Sequence, residues 1–210
     1  MADWATISAL ATAGGTLALA AATYGSVRSA NRSARTAEIA LQEQRRPVLV
    51  QSRLDDAEQK IMFVDRHWAR VSGGGGTAEH SDGVLYLVLS LRNVGLGIAV
   101  LQGWHARAGL ARPDIAHAEL EEMRPQTRDL YIPAGDIGLW QGAFRDQHDA
   151  GYPEIARALD DREPISIDLL YTDQIGDQRT ISRFVLNPVG DDRWIASVGR
   201  HWYLDRAGPR

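Results

Sequence analysis

The sequence predicts a mainly β protein, an antiparallel immunoglobulin-like β-sandwich preceded by one long N-terminal α-helix. Three observations predict it. Trp4 to Val27 carries no charged side chain, and Arg28, Arg32 and Arg35 follow directly. A helical spacing of small and apolar residues continues to Gln44 and meets Pro47. Beyond Pro47 the apolar residues alternate in short runs broken by Gly, Pro and Asp, the pattern of strands joined by turns.

The first element is the helix. A helix of about 20 apolar residues spans the hydrocarbon core of a bilayer, and the uncharged stretch has 24. Its apolarity is modest: eight residues are Ala, diluted by four Thr, two Ser and three Gly. Trp4 and Tyr24 stand near its ends, where aromatic rings favour the headgroup layer. Ala11 and Gly15, Gly14 and Ala18, and Ala18 and Ala22 are four apart and share a face, which lets two such helices approach closely. A cleaved signal peptide would need a basic n-region, whereas Asp3 stands there. A soluble alanine-rich helix packed on a partner is the other alternative. From Arg28 to Gln44, Ala30, Ala34, Ala37 and Leu41 recur at spacings of four, three and four, a narrow stripe close to a coiled-coil seam. Pro47 ends the helix, because the residue before proline is pushed towards extended geometry. The spacing therefore predicts one helix from Trp4 to Gln44.

The strands follow. Residues 47–53 (PVLVQSR) and 59–71 (QKIMFVDRHWARV) read as two of them, and the glycines at 73–76 as a flexible loop. Residues 84–92 (VLYLVLSLR) are apolar on both faces and predict a central, buried strand. Residues 98–107, 127–132, 138–144, 165–171, 179–186 and 194–204 complete the set, with a hairpin turn at Asp173 to Asp177. Helix signals are scarce here. Residues 152–159 are one candidate, with Pro153 suited to a first turn, and 113–123 another. The domain division is a membrane and stalk helix at 1–46 and a β-sandwich domain at 47–210.

Charge separates the two parts. Residues 1–46 hold five Arg against three acids, while residues 47–210 hold 18 basic and 24 acidic residues. An acidic body disfavours nucleic acid, since phosphate binding needs a basic surface. The basic flank suits anionic lipid and, by the positive-inside rule, places the body in the cytoplasm. The chain has no cysteine, which fits a reducing compartment and excludes thiol catalysis.

The turn Arg92-Asn93-Val94-Gly95-Leu96-Gly97-Ile98-Ala99 lies between two apolar strands. It resembles the Asn-x-Gly-x-Gly-x-Ala turn of uncharacterised bacterial proteins with an N-terminal membrane helix and a β-sandwich body. Tyr171-Thr172-Asp173 with Gly176 resembles the Tyr-x-Asp-x-x-Gly hairpin of the same proteins. Order and spacing agree over residues 1–187. The resemblance implies a membrane-anchored sandwich and brings no activity or site residues with it. On the residues alone, Gly95 and Gly97 permit positive φ, and Asn93 can bond the backbone two residues on. A phosphate loop would lead into a helix, whereas a strand follows here.

Catalytic signatures are absent from the sequence. The six histidines form no zinc-helix pair, and no nucleophile elbow occurs. Histidine adjoins tryptophan at His67-Trp68, Trp104-His105 and His201-Trp202, and Trp104, Trp140, Trp194 and Trp202 are expected in the core rather than at an interface. The acidic pairs Asp160-Asp161, Asp191-Asp192 and Glu121-Glu122 are adjacent residues that would point apart on a strand. No catalytic, cofactor-binding or metal-ligating residue is therefore assigned. The expectation is a single-pass protein of the inner (plasma) membrane, held through Trp4 to Val27. Its cytoplasmic sandwich is a non-enzymatic binding or assembly module, and the helix is a possible homo-oligomer contact. The alternative is a membrane-associated hydrolase or ligand-binding enzyme, in which His105, His201 and Asp173 would have to converge.

Overall fold

Helix α1 runs from Trp4 to Gln44, the extent that the spacing predicts. Its 41 residues give a rod about 60 Å long at 1.5 Å per residue. The structure is a computed structural model and describes residues 3–111, 115–190 and 192–206. The chain divides into two compact units, Met1–Gln44 and Arg45–Arg210. Every described side chain of α1 is exposed, and by length and composition it is apolar enough to cross a membrane. The hydroxyls of Thr12, Thr16 and Thr23 donate to the carbonyls of Ser8, Thr12 and Leu19, one turn back. These three threonines of the apolar stretch thus satisfy their polar groups within the helix.

The body is mainly β. Its strands are β1 (Leu49–Gln51), β2 (Gln59–Met62), β3 (Trp68–Val71), β4 (Gly75–Ser81), β5 (Val84–Asn93), β6 (Ala99–Ala108), β7 (Arg124–Ile132), β8 (Ile137–Phe144), β9 (Ile165–Thr172), β10 (Thr180–Val189) and β11 (Arg193–Tyr203). Nine of them form one curled antiparallel sheet, in the spatial order β7, β6, β9, β10, β11, β4, β5, β8, with β1 paired to the last residues of β5. β2 and β3 form a separate hairpin.

The curl gives the sheet an inside. Leu85, Leu87, Leu89 and Leu91 of β5 meet Trp104, Trp140, Phe144, Leu169, Phe184 and Leu186 in the main core. Helix α2 (Tyr152–Asp160) adds Tyr152, Ile155, Ala158 and Leu159. Two outer faces are covered as well. The β2–β3 hairpin packs Ile61, Phe63, Ala69 and Val71 on Tyr86 and Val88. On the other side, Leu170, Ile181 and Trp202 form a smaller cluster packed by Met123. Strand β5 is thus buried on both faces, as its unbroken apolarity predicts. Trp104, Trp140, Trp194 and Trp202 are all buried.

Three local expectations are corrected. Residues 59–71 are two strands, because the chain reverses at Arg66, whose φ is +66°, while Asp65 accepts from the His67 amide. The glycines at 73–76 are no flexible loop. Gly75 and Gly76 open β4, where a Cβ on Gly76 would lie 2.2 Å from Leu186 and 2.6 Å from the Val88 carbonyl. Of the helix expected at 113–123, residues 113 and 114 lie outside the described residues. The remainder holds only a 3-10 turn at Leu120–Glu122, closed by a capping box from Glu119 and Glu122.

Candidate functional site

His105, His201 and Asp173 do not converge on one site. His105 on β6 stands opposite Asp168 on β9, and Asp168 stands opposite Arg183 on β10. His201 on β11 stands opposite Ser182 on β10. Two strands therefore separate the histidines, and their registers differ by one residue. Neighbouring residues on a strand face opposite sides, so the two rings serve different faces of the sheet. Burial, and next Arg107, push the pKa of His105 below its ordinary value, and burial does the same to His201. Asp173 caps its own turn: one carboxylate oxygen accepts from the amides of Gly176, Asp177 and Gln178 at 3.0–3.2 Å. Among the described residues no group of three or more His, Asp or Glu could hold a metal ion.

Two polar networks have structural work. The first ties residues 115–118 across the outer face of β9 and β10. The Asp168 carboxylate, 1% exposed, accepts from Arg183 Nε at 2.7 Å, Arg183 Nη2 at 2.8 Å, the Ala118 amide at 2.9 Å and Arg107 at 3.0 Å. Arg183 also donates to the carbonyls of Ile115 and Ala116 and lies over the Trp202 ring. Burial alone would raise the Asp168 pKa, but Arg183, the Ala118 amide and Arg107 together hold it below the usual carboxylate value.

The second network fixes the chain where it joins the body. Asn93 is fully buried. Its side-chain oxygen accepts from the amides of Val48 and Gly95, and its nitrogen donates to the carbonyls of Gly97 and Ile132. The glycines serve close approach: a Cβ on Gly97 would lie 1.7 Å from the Arg45 carbonyl, and one on Gly95 would lie 2.3 Å from that of Arg46. Neither adopts the positive φ that the sequence allowed. Tyr171, buried with its pKa pushed up to about 12 by desolvation, accepts from the Leu49 amide and shares a hydrogen with Ser182. Arg46 forms a bidentate pair with Asp205 and covers the Tyr203 ring.

The remaining feature is an opening. β7 and β8, the two ends of the strand order, are successive in the chain yet do not pair with one another. Between the start of β7 and the end of β8 lies a cleft of about 250 Å³. Trp104 and Phe63 wall it, and Arg124, Gln126, Gln141 and Arg145 supply its polar groups. Arg124 pairs with Asp149 and lies over the rings of Trp104 and Phe144. Its hydrogen bond is the main reason that the Asp149 pKa is lowered. Arg145 Nε donates to Asp65 at 3.2 Å. The Gln126 amide nitrogen donates to the Gln141 carbonyl across the gap. The side-chain oxygens of Gln126 and Gln141 are buried and accept no hydrogen bond. Buried acceptors are nearly always partnered, and these two residues border one cleft.

No protein family matches this chain, and no curated protein does. The cleft is therefore read from its own geometry. Sequence reasoning did not find it. Gln126 and Gln141 are ordinary polar residues in their strands, and only the curl of the sheet brings them together. Trp104 is buried, as the sequence predicts, and its ring also walls the cleft.

Proposed function

We propose that this protein is a membrane-anchored, non-enzymatic binding module whose binding surface is the cleft between β7 and β8. One observation carries the anchor. A 41-residue helix keeps its described apolar side chains exposed and satisfies the hydroxyls of Thr12, Thr16 and Thr23 internally. Exposed apolar surface on that scale calls for another apolar medium. In this reading the helix crosses the plasma membrane once. Arg28, Arg32 and Arg35 stay on the cytoplasmic side with the body, and the small-residue face pairs two copies. His105, His201 and Asp173, the suspects for hydrolysis, stand apart, and this reading therefore takes binding first.

The bacterial membrane-anchored sandwiches that the two turns resemble are the relatives this reading favours. It also treats the curled sheet as a variant of the immunoglobulin-like sandwich. The support is that the β5–β8 and β9–β10 faces enclose one shared core.

Membrane fractionation tests the anchor. The full chain is expected to remain in the pellet through high salt and alkaline carbonate, while a chain starting at Pro47 is released. Release of the full chain by salt alone overturns the transmembrane reading. Orientation is open to a direct check because the chain has no cysteine. Glu121→Cys should react with an impermeant maleimide only after the membrane is opened from the cytoplasmic side, and Asp3→Cys in intact cells.

A further inference from the structure

We infer that the β7–β8 cleft receives the C-terminal carboxylate of an extended peptide, which adds to the free strand edges with its last residue against Trp104. The inference rests on the binding-module reading above and names its ligand. Three observations carry it. First, β7 and β8 each pair on one side only, with β6 and with β5. Apart from the Gln126 side chain, whose nitrogen reaches the Gln141 carbonyl, the edges that flank the cleft carry no partner strand among the described residues, and an extended peptide adds to such an edge through main-chain hydrogen bonds.

Second, the spare guanidinium donors suit a carboxylate, with the two charges themselves balanced by Asp149 and Asp65. Arg124 and Arg145 line the cleft from opposite strand ends. Each guanidinium gives the protein only part of its five N–H donors: Arg124 uses Nη2 on Asp149, and Arg145 uses Nε on Asp65. The donors left over match the planar, two-oxygen geometry of a carboxylate.

Third, the cleft holds acceptors that lack donors. Gln141 is only 6% exposed, and its side-chain oxygen is unpartnered, as is that of Gln126. A peptide amide N–H next to the terminal carboxylate supplies such a donor, whereas a simple anion does not. Size selects a chain end as well. At about 250 Å³ the cleft is smaller than the roughly 300–1,000 Å³ of drug-sized and cofactor sites. Trp104, Phe63 and Val64 make the wall apolar, which favours a terminal Leu or Val.

The test uses the full chain in detergent micelles and follows the Trp104 indole N–H by NMR. Trp104→Phe assigns the signal. Three probes are titrated: acetyl-Ala-Ala-Leu with a free carboxylate, the same peptide as its C-terminal amide, and acetate. The free acid should shift the Trp104 signal, bind at least about tenfold more tightly than the amide, and exceed acetate by a similar factor. Gln141→Leu should weaken the peptide about tenfold while the melting temperature holds or rises, because it removes an unpartnered acceptor. An amide that binds as tightly as the acid overturns the carboxylate inference and leaves the cleft as a binding surface. Acetate equal to the peptide overturns the peptide and leaves an anion site. No shift with any probe overturns the inference and the cleft together, while the anchor is judged separately by the carbonate wash.

Discussion

Asp168→Asn should be the most damaging conservative change in the body. The substitution keeps the shape and removes the charge. It leaves the Arg183 guanidinium, 4% exposed, with the carbonyls of Ile115 and Ala116 and the Trp202 ring but no counterion. Breaking a buried pair by removing one partner costs about 3–5 kcal/mol, since the surviving charge stays desolvated. For a body of this size each kcal/mol moves the melting temperature by roughly 2–4 °C, so the expected drop is roughly 6–20 °C. The assay is thermal unfolding followed by near-ultraviolet circular dichroism, which reports the buried tryptophans rather than α1. Arg183→Met should cost a similar amount, and the double variant Asp168→Leu/Arg183→Met should cost clearly less than the two losses added. The pH dependence has a definite sign. The folded pKa of Asp168 is lowered, so its contribution is complete above the unfolded value of about 3.9 and is lost as pH falls through the folded value. Asp168→Asn should remove that acid-side loss. Single variants that each cost under about 1 kcal/mol, or losses that simply add, would refute the reasoning.

Three further outcomes follow from the other networks. His201 Nδ1 shares a hydrogen bond with Ser182 Oγ, and burial lowers its pKa. Its contribution should be complete above an unfolded pKa of about 6.5 and fall as pH drops below it, and His201→Asn should flatten part of the melting-temperature loss between about pH 7.5 and 5.5. Asn93→Ala strands the amides of Val48 and Gly95 and the carbonyls of Gly97 and Ile132. It should cost about 2–4 kcal/mol in urea unfolding, and Gly97→Ala should also be strongly destabilising. Tyr171→Phe removes the partner of the Leu49 amide and of Ser182, so about 1–3 kcal/mol should be lost and the Leu49 amide should exchange faster with deuterium.

Most of the fold was legible because periodicity survives burial. α1 showed itself through an uncharged run and a proline stop, and β5 through apolarity on both faces. β4 was hidden because its sequence, GGTAEHS, carries little apolar signal. Its glycines mark tight packing against Leu186 and Val88 rather than freedom of the backbone. The β2–β3 reversal was hidden because Arg66 takes a left-handed conformation without Gly, Asn or Pro to announce it. The cleft was illegible for a different reason. It arises where two strands fail to pair, and a missing pairing leaves no pattern in either strand. Its polar pair, Gln126 and Gln141, comes together only through the folded arrangement, in which neither side-chain oxygen has a donor from the protein.

The two turns that suggested relatives have a shared physical reason. Asn93, Tyr171 and Asp205 come from three distant places in the chain, and each holds a different residue of segment 45–49. Asn93 binds the amide of Val48 at the end of β5. Tyr171 binds the amide of Leu49 from the end of β9. Asp205 holds the Arg46 side chain just past β11. Three ties from three strand ends cannot be loosened one at a time without exposing buried polar groups, each costing about 1–3 kcal/mol. Glycine at 95 and 97 is then forced, because the Arg45 and Arg46 carbonyls occupy the space of a side chain. A segment that leads from a long exposed helix into a β body gains most from being fixed at that point. The chemistry of a ligand loop is not needed to explain these residues, and the search for a ligand belongs at the cleft between the start of β7 and the end of β8.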